Sequence, residues 1–396
     1  MRKRTRLKAF AAVAVTTLLA TAGPLSQTAR SAAPAPELAP LHRAANAVPG
    51  RYIVTLAQTA DSAAMTGEAG VKALFTYTSA LRGFAADLTA DQLKQVRLMP
   101  GVLAVEEDAT VKASTGTASS LAPAASWGLD RIDQRKLPLD DGFTAAGSGQ
   151  GVNAYILDTG IDYAHSEFGG RATFGYDAVG DGRRGQDCQG HGTHVAGTVG
   201  GRTYGVARKA SLVSVRVLDC EGGGTLSGVI AGMDWVAANA KQPAVLNASL
   251  GGNKSTAVNN AADALAASGV LPVVAAGNEA QNACNVSPAS AEGVLAVGAV
   301  NSSDQETDFS NFGACLSLYA PGAAIVSARL DGGSVSLNGT SMASPHVAGV
   351  AALYKSKHPT AQAEEVADWL VAESTKDVVA GISPGSPNRL LYSGGL

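Results

Sequence analysis

Hydrophobic and polar positions are spaced in three different ways along this chain. An apolar run from Ala9 to about Ala20 follows Arg2, Lys3, Arg4, Arg6 and Lys8. The run is shorter than the roughly 18 residues a bilayer span needs, and Gly23, Pro24 and Ser26 soon follow it. It reads as a secretory signal peptide over residues 1–32, with Ala20-Thr21-Ala22 or a bond nearer Ser31-Ala32-Ala33 as the cleavage site. An Ala/Pro-rich linker with no period runs from Ala32 to Val48. The pattern then turns regular: strand 51–56, helix 60–70, strand 71–77, strand 83–88, a helix opened by Thr89, Asp91 and Gln92, and strand 102–105. This β-α-β-β-α-β order predicts a ferredoxin-like module. Ala113 to Ala125, small and polar, reads as a second linker.

Beyond Trp127 short apolar runs predict strands at 152–157, 212–217, 244–248 and 271–276, with helices at 227–240 and 256–268 between them. Such runs suit strands covered on both faces. Their alternation with helices argues an α/β domain with a parallel sheet, which gathers its ligands at the carboxyl ends of the strands.

The chain has 396 residues, 46% hydrophobic and 16% charged, with 46 glycines. This composition excludes disorder as the dominant state. The net charge of −3 hides an asymmetry. Residues 1–119 hold 13 Lys/Arg against 8 Asp/Glu, and residues 120–396 hold 17 against 25. No basic face for nucleic acid is expected. An exported chain places Cys188, Cys220, Cys284 and Cys315 in an oxidising compartment, where four cysteines allow three pairings.

Three motifs carry chemistry. Asp158 closes a predicted strand in Leu157-Asp158-Thr159-Gly160, His191 lies in Gly190-His191-Gly192-Thr193-His194, and Ser341 lies in Gly339-Thr340-Ser341-Met342-Ala343. Acyl transfer needs these three side chains: the hydroxyl attacks, the imidazole takes its proton, and the carboxylate fixes and stabilises the imidazole. A lipase or esterase would instead show a G-x-S-x-G elbow and the order Ser, Asp, His. A non-catalytic homologue would show a broken set.

Together these motifs resemble the subtilisin-like serine proteases, in the proteinase K and aqualysin-like branch, over about residues 127–390. Residues 50–112 resemble that family's inhibitor-type propeptide. The resemblance implies an α/β fold with a parallel sheet sandwiched by helices, preceded by a small ferredoxin-like α+β propeptide. It divides the chain into a signal peptide at 1–32, a propeptide at 33–119 and a catalytic domain at 120–396. It implies a secreted, autoprocessing, monomeric serine endopeptidase with Asp158, His191 and Ser341 as triad and Asn278 as oxyanion donor. Its partners would be protein and peptide substrates and its own propeptide, which acts as chaperone and inhibitor. No membrane contact is expected after signal removal.

The same resemblance implies that Gly222 and Ser249, Leu250 and Gly251 flank an extended substrate. Ala275, Ala276 and Gly277, with Gly251, would wall a pocket without charge, which favours aliphatic or aromatic residues on the acyl side. Glu221 or Glu279 would bias other subsites. Ser341 would cut the linker between about 113 and 122, close to Ser119-Ser120. The implied disulfides are Cys188–Cys220 and Cys284–Cys315, each closing a loop of about 30 residues worth ~3–4 kcal/mol in the chain-entropy model.

No cofactor is expected for catalysis. Asp130, Asp133, Gln134 and Asp140 resemble a structural calcium site, and their hard oxygens suit that ion; the alternative is a solvated acidic loop. Ser317 stands where a second calcium site of relatives has Asp, which puts that site in doubt. Asp177, Asp181 and Asp187 read as a surface loop, with an ion site as the alternative.

Overall fold

The computed structural model describes residues 37–114 and 126–396, so the signal segment and the linker bonds around Ser119 lie outside the described residues. Two cores form on the two faces of a nine-stranded sheet. Its strands lie in the order 375–376, 389–390, 318–321, 295–300, 271–275, 244–248, 153–158, 211–216 and 172–177. All its pairings are parallel except the one between the edge strand 375–376 and its neighbour 389–390. Tyr155 and Leu157 point into one core, while Ala154 and Ile156 point into the other. This alternation explains why the strands read as continuous apolar runs.

Helices Leu226–Asn239 and Thr256–Ala267 cover the first face, and His191–Gly200, Thr340–Lys357 and Ala363–Glu373 cover the second. The strands at 172–177, 295–300 and 318–321 and the helices starting at His191 and Ala363 have no counterpart among the predicted elements. Polar and glycine positions break the period at 172–177 and in the His191 helix. Among the described residues no helix is long and apolar enough to cross a membrane.

The N-terminal module has the expected order, with helices Ser62–Ala69 and Ala90–Leu98 and a sheet ordered 102–113, 47–56, 83–87, 73–77. Val54, Phe84 and Ala86 face these helices in a third core. Ile53, Tyr77 and Ala85, on the opposite face, join Leu226, Ile230 and Met233. The module therefore packs its sheet on two helices of the larger domain, and its carboxylates meet their amino ends. Asp108 accepts from Ser227 N at 3.0 Å and Ser227 Oγ at 2.6 Å, and Glu106 accepts from Ala257 N at 3.3 Å. These ends carry unpaired N–H groups and partial positive charge. Burial pushes the Asp108 carboxyl up, against the pull of its Ser227 hydrogen bonds. In return Asp234 of the larger domain accepts the backbone N–H groups of Thr78, Ser79, Ala80 and Leu81.

Boundaries differ from expectation at both ends of the module: the predicted linker 32–48 holds a short strand, Leu41–His42, and the start of the strand Ala47–Leu56, whose expected start is residue 51. The last strand of the module continues from Val102 to Ala113 instead of ending at Val105. Its second half has no period of its own, because it is paired by the other domain.

Candidate active site

That second half lies between two strands. On one edge Thr110, Val111 and Lys112 pair antiparallel with Thr225, Gly224 and Gly223, and Ala113 N donates to Gly222 O at 3.0 Å. On the other, Lys112 and Ala113 pair antiparallel with Gly251 and Leu250, and Ser114 N donates to Ser249 O at 3.3 Å. Backbone bonds on both edges hold a peptide whatever its sequence, and pockets for alternate side chains supply preference. Val111 is buried against Gly224 and Gly252, where a Cβ at Gly252 would come within 3.0 Å of its Cγ1.

Asn278, three residues past the 271–275 strand, meets the end of this segment. Its Nδ2 donates to Ser114 O at 2.6 Å. Its Oδ1 accepts from Thr340 N and Thr340 Oγ1, both at 2.9 Å. Two donors on Oδ1 fix the amide so that Nδ2 faces the carbonyl. Thr340 Oγ1 in turn accepts from Gly277 N at 3.1 Å, which ties the loop to the serine helix. Gly277 has φ 103°, and a side chain there would collide with Asn311; glycine meets both demands.

Asp158 and His191 are buried, and His191 Nδ1 donates to Asp158 Oδ1 at 2.7 Å. With the proton on Nδ1, Nε2 carries a free lone pair, and it is buried without a partner. The Asp187 carboxylate aligns this pair. It accepts Gln189 N, Gly190 N, Thr193 N and Thr193 Oγ1 at the start of the histidine helix, and Thr159 Oγ1 beside Asp158. His194, the other imidazole of the motif, lies within hydrogen-bond reach of Ile325 O and Val335 O through Nε2, and burial holds it down at about 3. Its Nδ1 keeps a lone pair, also buried without a partner, but complete burial disfavours the imidazolium that a base must form.

Ser341 is the second residue of the Thr340–Lys357 helix, so its N–H has no intrahelical acceptor. Its hydroxyl donates to Ser249 O at 3.0 Å, and proton transfer to His191 would require it to turn. Pro345, four residues on, lacks the N–H that would bond Ser341 O. Ser249 Oγ takes that place, donating to Ser341 O at 2.9 Å. The sequence signalled this through a proline one turn beyond the serine, as it signalled Thr340 and Asp187 only as polar neighbours. The geometry as a whole offers a hydroxyl nucleophile, an imidazole with a free nitrogen, and an amide already on a peptide carbonyl.

Of the expected pocket walls, Gly251 and Gly277 line a cavity of about 260 Å³ beside Thr110 and Lys112 of the bound segment, while Ala275 and Ala276 are buried and do not line it. Glu279 and Lys112 also line this cavity, so its rim carries charge. Disulfides join Cys188 to Cys220 and Cys284 to Cys315. The loop of Asp177, Asp181 and Asp187 is exposed at 180–184, as expected, and among the described residues its carboxylates form no common ion site. Arg216 binds Asp181 at 2.6 and 2.8 Å and Asp177 at 3.3 Å, while Asp187 spends its oxygens on the histidine helix. Near Ser317, Arg389 reaches the backbone carbonyl at 3.5 Å.

Asp130, Asp133, Gln134 and Asp140 share one loop region. Asp130 accepts Asp141 N at 2.8 Å, Asp133 accepts Thr144 N at 2.6 Å, and Gln134 donates to Pro138 O at 2.8 Å. Burial first, and then the charges of Asp140 and Asp130, push the Asp133 carboxyl up. This mutual repulsion fits a cation nearby, although among the described residues no three acidic, His or Cys side chains form a metal-holding group by themselves.

Comparison with known proteins agrees in kind. The subtilase family model matches residues 149–388, and the peptidase inhibitor I9 model matches residues 51–114. An extracellular serine proteinase of Thermus sp. (strain Rt41A) is 45% identical over 377 residues, covering 88% of this chain and 91% of that protein. An alkaline serine exoprotease A of Vibrio alginolyticus is 47% identical over 330 residues, covering 83% of this chain and 62% of that protein. The crystal structure of a cold adapted subtilisin-like serine proteinase matches with a TM-score of 0.67 and 50% identity, covering 68% of this chain and 99% of the other. The chain therefore belongs to the subtilase family of serine endopeptidases and carries an I9 propeptide domain ahead of its catalytic domain.

Proposed function

We propose that this is a secreted, monomeric endopeptidase that activates itself by cutting the bond between Ser114 and Thr115. The observation that carries the reading is the 2.6 Å hydrogen bond from Asn278 Nδ2 to the Ser114 carbonyl. Ser341 Oγ attacks that carbon and passes its proton to His191 Nε2. Asp158 steadies the imidazolium, and Asn278 with the Ser341 N–H stabilises the oxyanion. Collapse of the intermediate expels the amine of Thr115, which takes the proton from His191, and water then releases Ser114 from the acyl enzyme. This bond lies five residues before the 119/120 boundary expected from the linker. Intact-mass analysis of the secreted protein is expected to find a mature chain starting at Thr115. A chain starting at Ser120 or later, with no trace of a Thr115 end at early times, would overturn it.

Substrates take the place of residues 111–114 after release. The small, uncharged residues Gly251, Ala275, Ala276 and Gly277 support broad cleavage after aliphatic or aromatic residues, and the buried site of Val111 favours an apolar residue three positions before the acyl residue. Glu279 at the rim adds tolerance for a positive side chain nearby. No cofactor takes part in these steps.

Calcium fits the loop of Asp130, Asp133, Gln134 and Asp140, where it would relieve the repulsion felt by Asp133 and brace the start of the catalytic domain. Removal of calcium by a chelator is expected to lower the melting temperature of a Ser341→Ala chain by several degrees, with recovery on adding Ca²⁺. Asp133→Asn should remove most of that response. An equal response in both chains would place the ion elsewhere.

A further inference from the structure

The inhibitor model begins at residue 51, yet residues 38–46 are built onto the same sheet. Leu41 and His42 pair in parallel with Val105 and Glu106, whose other edge is already paired with Val54 and Ile53. Ala39 N donates to Arg97 O at 2.8 Å, and Arg97 Nε returns a bond to Ala39 O at 2.7 Å. Ala44 N donates to Glu107 Oε2 at 3.1 Å, and the Arg43 guanidinium pairs with the same carboxylate. Thr110 N donates to Asn46 O at 3.2 Å, immediately before the residues that enter the cleft. A cavity of about 370 Å³ is lined on one side by Leu41 and Arg43 and on the other by Leu226, Asn253 and Lys254 of the catalytic domain.

The 102–113 strand is the only covalent link between the inhibitor body and the segment lying in the cleft. Without residues 38–46 its 105–106 stretch would be a free edge, able to bend or to pair elsewhere. With them it is bonded on both sides there, and the catalytic strands take over from residue 110. A segment held in its bound shape loses less freedom on binding and leaves more slowly.

We propose that Leu38–Asn46 is a strap that stiffens this strand and sets how long the cut propeptide stays on the enzyme. Its interaction surface is Arg97 and Val105–Thr110 of the inhibitor domain. The inference rests on the reading that residues up to 114 are the inhibitor of the same chain. The test uses the full chain, with residues 38–46 deleted or with Ala44→Pro, which removes the N–H that bonds Glu107. Two readouts are taken at matched concentration: appearance of the Thr115 terminus by mass, and the lag before a peptide substrate is hydrolysed.

The expected result is an unchanged first cut and a lag about 10-fold shorter for the deletion and about 2–3-fold shorter for Ala44→Pro. Lags equal to that of the parent in the secreted variants would overturn the strap. If the deletion chain is not secreted, Ala44→Pro alone decides. A parent that shows neither the cut nor a lag would instead overturn the inhibitor reading beneath it.

Discussion

Ser341→Ala is expected to leave the secreted chain uncut, with residues 37–114 still joined to the catalytic domain and with no measurable hydrolysis of casein. The loss comes from position. The Ser114 carbonyl is already on Asn278, and the free imidazole nitrogen of His191 is buried without a partner, so only the nucleophile is taken away. Removing the nucleophile of a related protease lowers kcat by about 10⁶, and a loss of that order is expected here. Stability should change little, because the deleted hydroxyl makes one hydrogen bond, to Ser249 O, worth about 1 kcal/mol. The uncut chain should therefore fold and be recovered in normal yield. Full processing or full activity in this variant would sink the assignment of the nucleophile.

Sequence alone carried part of the fold where burial was two-sided, although the equally buried strands at 295–300 and 318–321 have no predicted counterpart. The runs at 153–158, 211–216, 244–248 and 271–275 were legible because both neighbouring layers demand apolar side chains. Local chemistry was legible too: Asp158, His191, Asn278 and Ser341 stand in short motifs with glycine or small neighbours. The bound segment was legible only through the family resemblance, which implies that Val111-Lys112-Ala113-Ser114 thread the cleft. From the residue pattern alone Val111 and Lys112 stand beyond the predicted strand and Ala113 and Ser114 look like the start of a small-residue linker, since their strand is specified by Gly222–Thr225 and Ser249–Gly251, more than a hundred residues away. A backbone-paired segment needs little of its own sequence, which is the property that lets one cleft accept many substrates.

The supporting hydrogen bonds were hidden for a related reason. Asp187 resembles any acidic loop residue until the histidine helix is placed on it, and Thr340 becomes a clamp only once Asn278 arrives from another strand. Such roles depend on which backbone groups are left unpaired after folding. The composition of a loop does not reveal that, but Pro345 does, because a missing N–H inside a helix announces an orphan carbonyl one turn earlier.

Asn278→Ala should separate binding from chemistry. The substitution removes the donor on the acyl carbonyl and leaves the backbone ladder to Gly222, Ser249 and Gly251 intact. Those ladder bonds hold ground state and transition state alike, so KM is expected to stay within about 2–3-fold. The amide matters more as charge develops on the oxygen. kcat should fall by about 10²–10³, or roughly 3–4 kcal/mol, a range known for one such donor in a related protease. Loss of Oδ1 also frees Thr340 N and Oγ1, so a second variant is needed to tell a lost oxyanion contact from a loosened helix. Thr340→Val provides it: this change removes one of the two donors on Oδ1 while keeping Nδ2, and it should cost no more than about 10-fold. Equal losses in the two variants would mean that Asn278 acts by holding the serine helix. A kcat for Asn278→Ala within about 3-fold of the parent would remove it from the reaction altogether.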